Sequence, residues 1–125
     1  MTKLKSIMSK KVYSGNPLET AREIANRMRR HNIGALVILV KNRMVGVISE
    51  RDLVNRVICV GKDPNRTFAN DIMTKNVITA KPDMTVGSAA KLMTKRNIKK
   101  LPIVSKDKIV GMVTQTDLTK IITEK

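Results

Sequence analysis

Aromatic residues are almost missing from this chain: Tyr13 and Phe68 are the only two, and there is no tryptophan. Proteins that hold single-stranded nucleic acid usually stack bases on aromatic faces, so that class loses weight. Cysteine is represented by Cys59 alone, which excludes an internal disulfide and fits a reducing compartment. With no histidine or second cysteine near it in sequence, Cys59 reads as a small buried hydrophobe. His31 is the one histidine, set among Arg29, Arg30 and Asn32 at the end of a predicted helix, where a cation favours the helix dipole. No cluster of His, Cys and carboxylates has metal-ligand spacing, and no nucleophile has a base beside it in sequence. We therefore expect no metal, no cofactor, no catalytic residue and no enzyme activity. Long apolar runs are missing as well, since nothing approaches the roughly 18 residues of a membrane span. The opening "MTKLKSIMSKK" lacks the apolar core of a signal peptide, so the expected location is the cytoplasm, away from any membrane.

Negative charge is the other shortage. Ten acidic residues face 25 Lys and Arg, a net charge of +15 over 125 residues. Such a balance points to anionic partners: nucleic acid, phosphorylated small molecules or acidic surfaces. The hydrophobic share, 42%, is that of a globular protein. The basic runs "RMRRHN" and "KRNIKK" read either as solvated helix ends or as a shared surface for an RNA or DNA backbone.

What the chain has is a repeat. Sliding it by 65 positions aligns Ile7–Leu53 with Ile72–Leu118 without a gap. Identical pairs include Met8/Met73, Pro17/Pro82, Thr20/Thr85, Met28/Met93, Asn32/Asn97, Gly46/Gly111 and Asp52/Asp117. Each copy reads as β-α-β-β-α. Short strands are predicted at "VYS" and "VIT", followed by helices with Pro17 or Pro82 near the first turn. Ala21, Ile24, Ala25 and Met28, and likewise Val86, Ala89, Ala90 and Met93, fall at helical spacing. Strands at "ALVILV" and "LPIVS" then turn through Lys41-Asn42-Arg43 or Lys106-Asp107-Lys108 into "MVGVIS" and "IVGMVT". Gly46 and Gly111 sit inside these last strands, where close packing is expected. A second helix begins at Ser49 or Thr114 and carries Leu53, Val54 and Val57, or Leu118, Ile121 and Ile122. The expected division is a first domain over 1–59, a polar linker over 60–68 and a second domain over 69–125. One unit of about sixty residues has a marginal core, so the two copies are expected to pack with pseudo-two-fold symmetry.

The stretches "GVISERDL" and "GMVTQTDL" carry the one motif with chemistry in it. A hydroxyl followed three residues later by a carboxylate is a capping box. The same corner has a second use. A helix start offers free N–H donors and partial positive charge to a phosphate, and an ionised carboxylate accepts hydroxyls, such as the 2′,3′-diol of a ribose.

In order, the Met-Ser/Thr opening, Pro, helix, "LPIV", turn, "VG" and hydroxyl-x-x-Asp resemble the CBS domain, twice over. The pair is similar to a free-standing Bateman module, an α+β fold. This resemblance implies a non-catalytic sensor of adenosine-containing ligands such as AMP, ADP, ATP or S-adenosylmethionine. It also implies a homodimer and an unidentified protein target; a basic nucleic-acid-associated protein is the alternative. Family sites are crossed. One would join Ser49, Arg51 and Asp52 to Val77, Ile78, Ile98, Lys99 and Lys100. The other would join Thr114, Thr116 and Asp117 to Val12, Tyr13, Ile33, Gly34 and Ala35. Val37 stands where the second repeat has Pro102, a departure that falls on the second adenine wall. Arg51, Lys99 and Lys100 lead us to expect the more highly phosphorylated ligand at the Asp52 site.

Overall fold

Thr20 starts the first long helix. Its side chain accepts from Glu23 N at 3.2 Å, and Glu23 Oε1 accepts from Thr20 N at 3.1 Å, so two otherwise unpaired donors are satisfied. The helix, α1 (Ala21–His31), ends at Asn32 in the left-handed region, φ 52°. In the computed structural model, which describes residues 1–123, α4 (Val86–Arg96) has the forward half of this cap, Thr85 Oγ1 accepting from Ser88 N at 3.2 Å, and ends likewise at Asn97, φ 53°. Glu124, Lys125 and the side chain of Ile122 lie outside the described residues. Both helices start after the prolines rather than on them. Pro17 belongs to a turn closed by Leu18 N donating to Asn16 Oδ1 at 2.9 Å, and only past Thr20 are the helical donors capped.

The strands are β1 (Ser14–Gly15), β2 (Ala35–Val40), β3 (Arg43–Ser49), β4 (Lys100–Ser105) and β5 (Lys108–Thr114). β1 runs parallel to β2, and the β2–β3 and β4–β5 pairs are antiparallel hairpins. Their two-residue turns, Lys41-Asn42 and Lys106-Asp107, have positive φ at both positions, the hand that matches strand twist. The opening strands are shorter than the pattern suggests. Val12 and Tyr13 precede β1, although Tyr13 O accepts from Val37 N at 3.2 Å. Val77–Thr79 forms no strand, because pairing begins one residue later, with Ala80 bridged in parallel to Ile103.

Two compact units result: Tyr13–Val77, and Met1–Val12 with the chain from Ile78 onward. Each unit thus combines the opening of one repeat with the body of the other. In the Tyr13–Val77 unit, Ile24, Met28, Leu36, Ile38, Ile48 and Val57 bury themselves with Ile72 and Met73, which belong to the second repeat. α3 (Ala69–Ile72) carries that opening segment, and Thr74 pairs with Val47. The other unit has the same plan. Leu4, in a 3₁₀ turn over Leu4–Ser6, is buried with Ala89, Met93, Leu101, Ile103, Val113 and Leu118, and Ser9 pairs with Met112.

The repeated glycines fit these exchanged segments. A Cβ on Gly46 would stand 2.7 Å from Met73 Sδ, and one on Gly111 would stand 2.5 Å from Met8 Sδ. The second helices differ between the copies. α5 (Gln115–Thr123) is regular, whereas α2 (Glu50–Leu53) passes into a π segment, Val54–Ile58. That segment corrects one expectation. Cys59 is exposed rather than buried: it closes the π turn through its N–H to Val54 O at 2.8 Å. Two residues past buried Val57, it falls on roughly the opposite face.

Candidate ligand site

Both hydroxyl-x-x-Asp corners form reciprocal caps at a strand-to-helix junction. At the first, Ser49 Oγ accepts from Asp52 N at 3.2 Å while Asp52 Oδ2 accepts from Ser49 N at 2.9 Å. At the second, Thr114 Oγ1 accepts from Asp117 N at 3.2 Å and Asp117 Oδ2 accepts from Thr114 N at 2.9 Å. The sheet fixes each corner. Ser49 and Ala35 are paired at the open end of the β2–β3 hairpin, and Thr114 and Lys100 at that of the β4–β5 hairpin. Glu50 N donates to Gly34 O at 3.0 Å, and Gln115 N donates to Lys99 O at 2.8 Å. Each corner therefore lies against the start of the second strand of its own repeat and the residues leading into it: Ile33, Gly34 and Ala35 beside Ser49, and Ile98, Lys99 and Lys100 beside Thr114.

The remaining candidates divide between the units. Tyr13 and Val77 belong with Ser49, Arg51 and Asp52; Val12 and Ile78 belong with Thr114, Thr116 and Asp117. Val12, Tyr13, Val77 and Ile78 are half-buried, whereas Arg51, Lys99 and Thr116 are exposed. Lys100 is half-buried.

Three features escaped the motif. Thr74 Oγ1 donates to Asp52 Oδ1 at 3.1 Å, and Arg56 Nε lies 3.7 Å from the same oxygen. His31, read from sequence only as a helix-end cation, also stacks on Tyr13 with ring centroids 4.1 Å apart. The one signal for the first two was the repeat alignment, in which Thr74 faces Ser9 and Arg56 faces Ile121. A cleft of about 710 Å³ also opens beside the Lys106-Asp107 turn, lined by Ala80, Met84, Ser88 and Val104 among others. It lies at the other end of the β4–β5 hairpin from Thr114, about 20 Å away at strand rise, and contains none of the candidate residues. Its rim carries both Lys81 and Asp83, and Asp83 already pairs with Lys5 at 3.2 Å.

Among the described residues no group of three or more His, Cys, Asp or Glu could hold a metal ion, and no helix is long and apolar enough to cross a membrane. The CBS domain profile matches residues 4–58 and 69–124. An uncharacterised protein of Methanopyrus kandleri is 46% identical over 112 residues, 88% of this chain and 57% of the relative. The chain thus spans little more than half of that protein. The CBS domain-containing protein YhcV of Bacillus subtilis is 30% identical over 118 residues, 94% of this chain and 84% of its own length. Among solved structures, the CBS domain pair of MJ0100 superposes with a TM-score of 0.88 at 31% identity, covering 98% of this chain and 97% of that one. That pair was solved in complex with 5′-methylthioadenosine and S-adenosyl-L-methionine. The chain belongs to the CBS domain family: it carries two such domains in an α+β fold and is a regulatory module of the CBS-pair type.

Proposed function

We propose that this chain senses an adenosine-containing ligand (AMP, ADP, ATP or S-adenosylmethionine) in the cytoplasm and conveys its occupancy to a protein target. The observation that carries this reading is the corner at Thr114 and Asp117. There a half-buried carboxylate has Oδ2 engaged by Thr114 N, while Oδ1 accepts no hydrogen bond among the described residues. An ionised carboxylate oxygen accepts two hydrogen bonds and donates none, so it suits the vicinal hydroxyls of a ribose. The start of α5 adds partial positive charge for a phosphate or carboxylate of the same ligand; Gln115 N and Asp117 N are already engaged, which leaves Thr116 N as the first-turn donor for it. An adenine ring would meet aliphatic or aromatic side chains: Val12, Ile78 and Ile98 are the proposed residues in the unit of Thr114, and Tyr13, Ile33 and Val77 in the unit of Ser49. Gly34, Ala35, Lys99 and Lys100 would complete these walls. The ligands of the MJ0100 pair share adenine and a ribose diol, which supports the class without choosing a member. We place the chain in a homodimer through helical faces, in keeping with exposed Val54 and Ile58 one turn apart on the second helix.

A thermal-shift screen tests this reading. Adenosine compounds that bind the folded chain raise its melting temperature, by linkage, whereas guanosine and cytidine counterparts leave it unchanged. Equal shifts from every nucleotide, lost as salt is raised, would instead favour binding by the cationic surface alone.

A further inference from the structure

The two aspartates stand in the same motif but in different surroundings, and two differences between the repeats account for this. Thr74 and Arg56 both turn to Asp52. Thr74 Oγ1 donates to Oδ1 at 3.1 Å and lies 3.3 Å from Oδ2. Arg56 Nε stands 3.7 Å from Oδ1, while its Nη1 donates to Ile72 O at 3.1 Å and Met73 O at 3.2 Å. Ser49 adds its backbone N at 2.9 Å and its hydroxyl at 3.1 Å, both to Oδ2. The carboxylate is enclosed as a result, with Asp52 only 8% exposed.

At the other corner the counterparts cannot do this. Ser9 replaces Thr74 and directs its hydroxyl to Lys11 O at 3.4 Å. Ile121 replaces Arg56 and has no donor. Asp117 Oδ1 is left without a hydrogen bond among the described residues, and the Thr114 hydroxyl proton is not spent on Asp117 as the Ser49 proton is on Asp52.

We propose that Asp52 is a latch holding the opening segment of the second repeat on the first repeat's sheet, and that Asp117 is the chain's one ribose-accepting carboxylate. The latch half stands on the contacts of Asp52 alone; the receptor half rests on the adenosine reading. A carboxylate offers about four acceptor positions. Ser49 N, the Ser49 hydroxyl and the Thr74 hydroxyl take three, and Arg56 stands over the remaining side of Oδ1. A ribose diol would have to displace both Thr74 and Arg56, and Arg56 is also tied to the carbonyls of the segment that Thr74 ends. Thr74 thus occupies the place of a ligand hydroxyl. Charge alone would favour the Asp52 corner through Arg51; that side chain is exposed, as Arg56 is, but unlike Arg56 it makes no hydrogen bond or ion pair among the described residues, and such a cation contributes little.

The test compares Thr74→Val, Ser9→Val, Asp52→Asn and Asp117→Asn with the unaltered chain, by thermal unfolding without ligand and by calorimetric titration with AMP and with S-adenosylmethionine. Thr74→Val is expected to lower the melting temperature by roughly 3–6 °C, and Ser9→Val by about 1 °C or less. The unaltered chain should bind one adenosine ligand per chain. Asp117→Asn should weaken it at least about tenfold, and Asp52→Asn no more than about threefold. Equal melting temperatures for Thr74→Val and Ser9→Val overturn the latch. Two ligands per chain, one of them lost in Asp52→Asn, overturn the single receptor. If neither compound binds the unaltered chain, the adenosine reading and the receptor half both fail, while the Thr74/Ser9 contrast still decides the latch. Should Asp52→Asn not fold, Thr74→Val alone carries both readouts, since it spares the carboxylate.

Discussion

Arg27 shows how one side chain makes a repeat position unlike its copy. Its guanidinium donates to Glu19 through Nη1 at 2.9 Å and through Nη2, and to Ser14 O at 3.0 Å, so it ties α1 to β1. In the second repeat the matching residues are Leu92 and Met84. The hydrogen bond from Arg27 holds the Glu19 carboxyl below its ordinary value of 4.5, with the neighbouring positive charge acting in the same direction. Because the folded value is the lower one, the pair's stabilisation is fully present above about pH 4.5 and fades as pH falls through the folded value. Glu19→Gln should therefore lower the melting temperature at pH 7 but flatten its fall below pH 4.5; parallel curves for the two proteins would count against the pair. Arg27→Ala should cost on the order of 1–2 kcal/mol, a charge-assisted contact discounted for partial exposure. Both residues stand in the sequence, but nothing in their spacing signals the contact. Glu19 precedes the helix cap, and only the turn at Asn16 brings it back over Arg27. Thr74 and Asp52 were hidden for the same reason, being 22 residues apart and joined by an exchanged segment.

At the scale of elements, the sequence was most informative where a local rule acts alone. Ser49 and Thr114 mark helix starts as capping boxes, and the turn pairs Lys41-Asn42 and Lys106-Asp107 mark hairpins, because capping and positive φ depend on neighbours only, whereas the caps Thr20 and Thr85 went unread behind Pro17 and Pro82. The first strands were misjudged because their pairing partners lie more than twenty residues away; their extent is set by β2 and β4, not by "VYS" and "VIT". The π segment was likewise invisible, as Val54–Ile58 has ordinary helical residues. Gly46 and Gly111 were read as points of close approach, and the approaching groups are Met73 and Met8. Their substitution should be unequal. At Gly46 a Cβ also meets the backbone carbonyl of Thr74 at 3.0 Å, whereas at Gly111 the nearest atoms all belong to the Met8 side chain. Gly46→Ala should destabilise by roughly 1–3 kcal/mol in denaturant unfolding, with Gly111→Ala the smaller loss because a methionine can swing aside. The reverse order would contradict this account of the segment's packing.

For the whole molecule, the 65-residue repeat and its motifs carried the family, and the match over 4–58 and 69–124 agrees with that reading. What the repeat could not show is that each compact unit takes its opening segment from the other repeat, since self-similarity is blind to which copy a segment packs on. Light scattering should give twice the 14.0 kDa chain mass, and Ile58→Glu should shift the population toward monomer by placing a charge on an exposed apolar turn; a monomer at all micromolar concentrations would exclude the dimer. The central claim is recognition of adenosine through its ribose diol by a hydroxyl-x-x-Asp corner. Its most direct measurement is a calorimetric comparison of AMP with 2′-deoxy-AMP on the unaltered chain. Loss of one hydroxyl to a charged acceptor should weaken binding at least about tenfold; equal affinities for the two nucleotides would contradict the account.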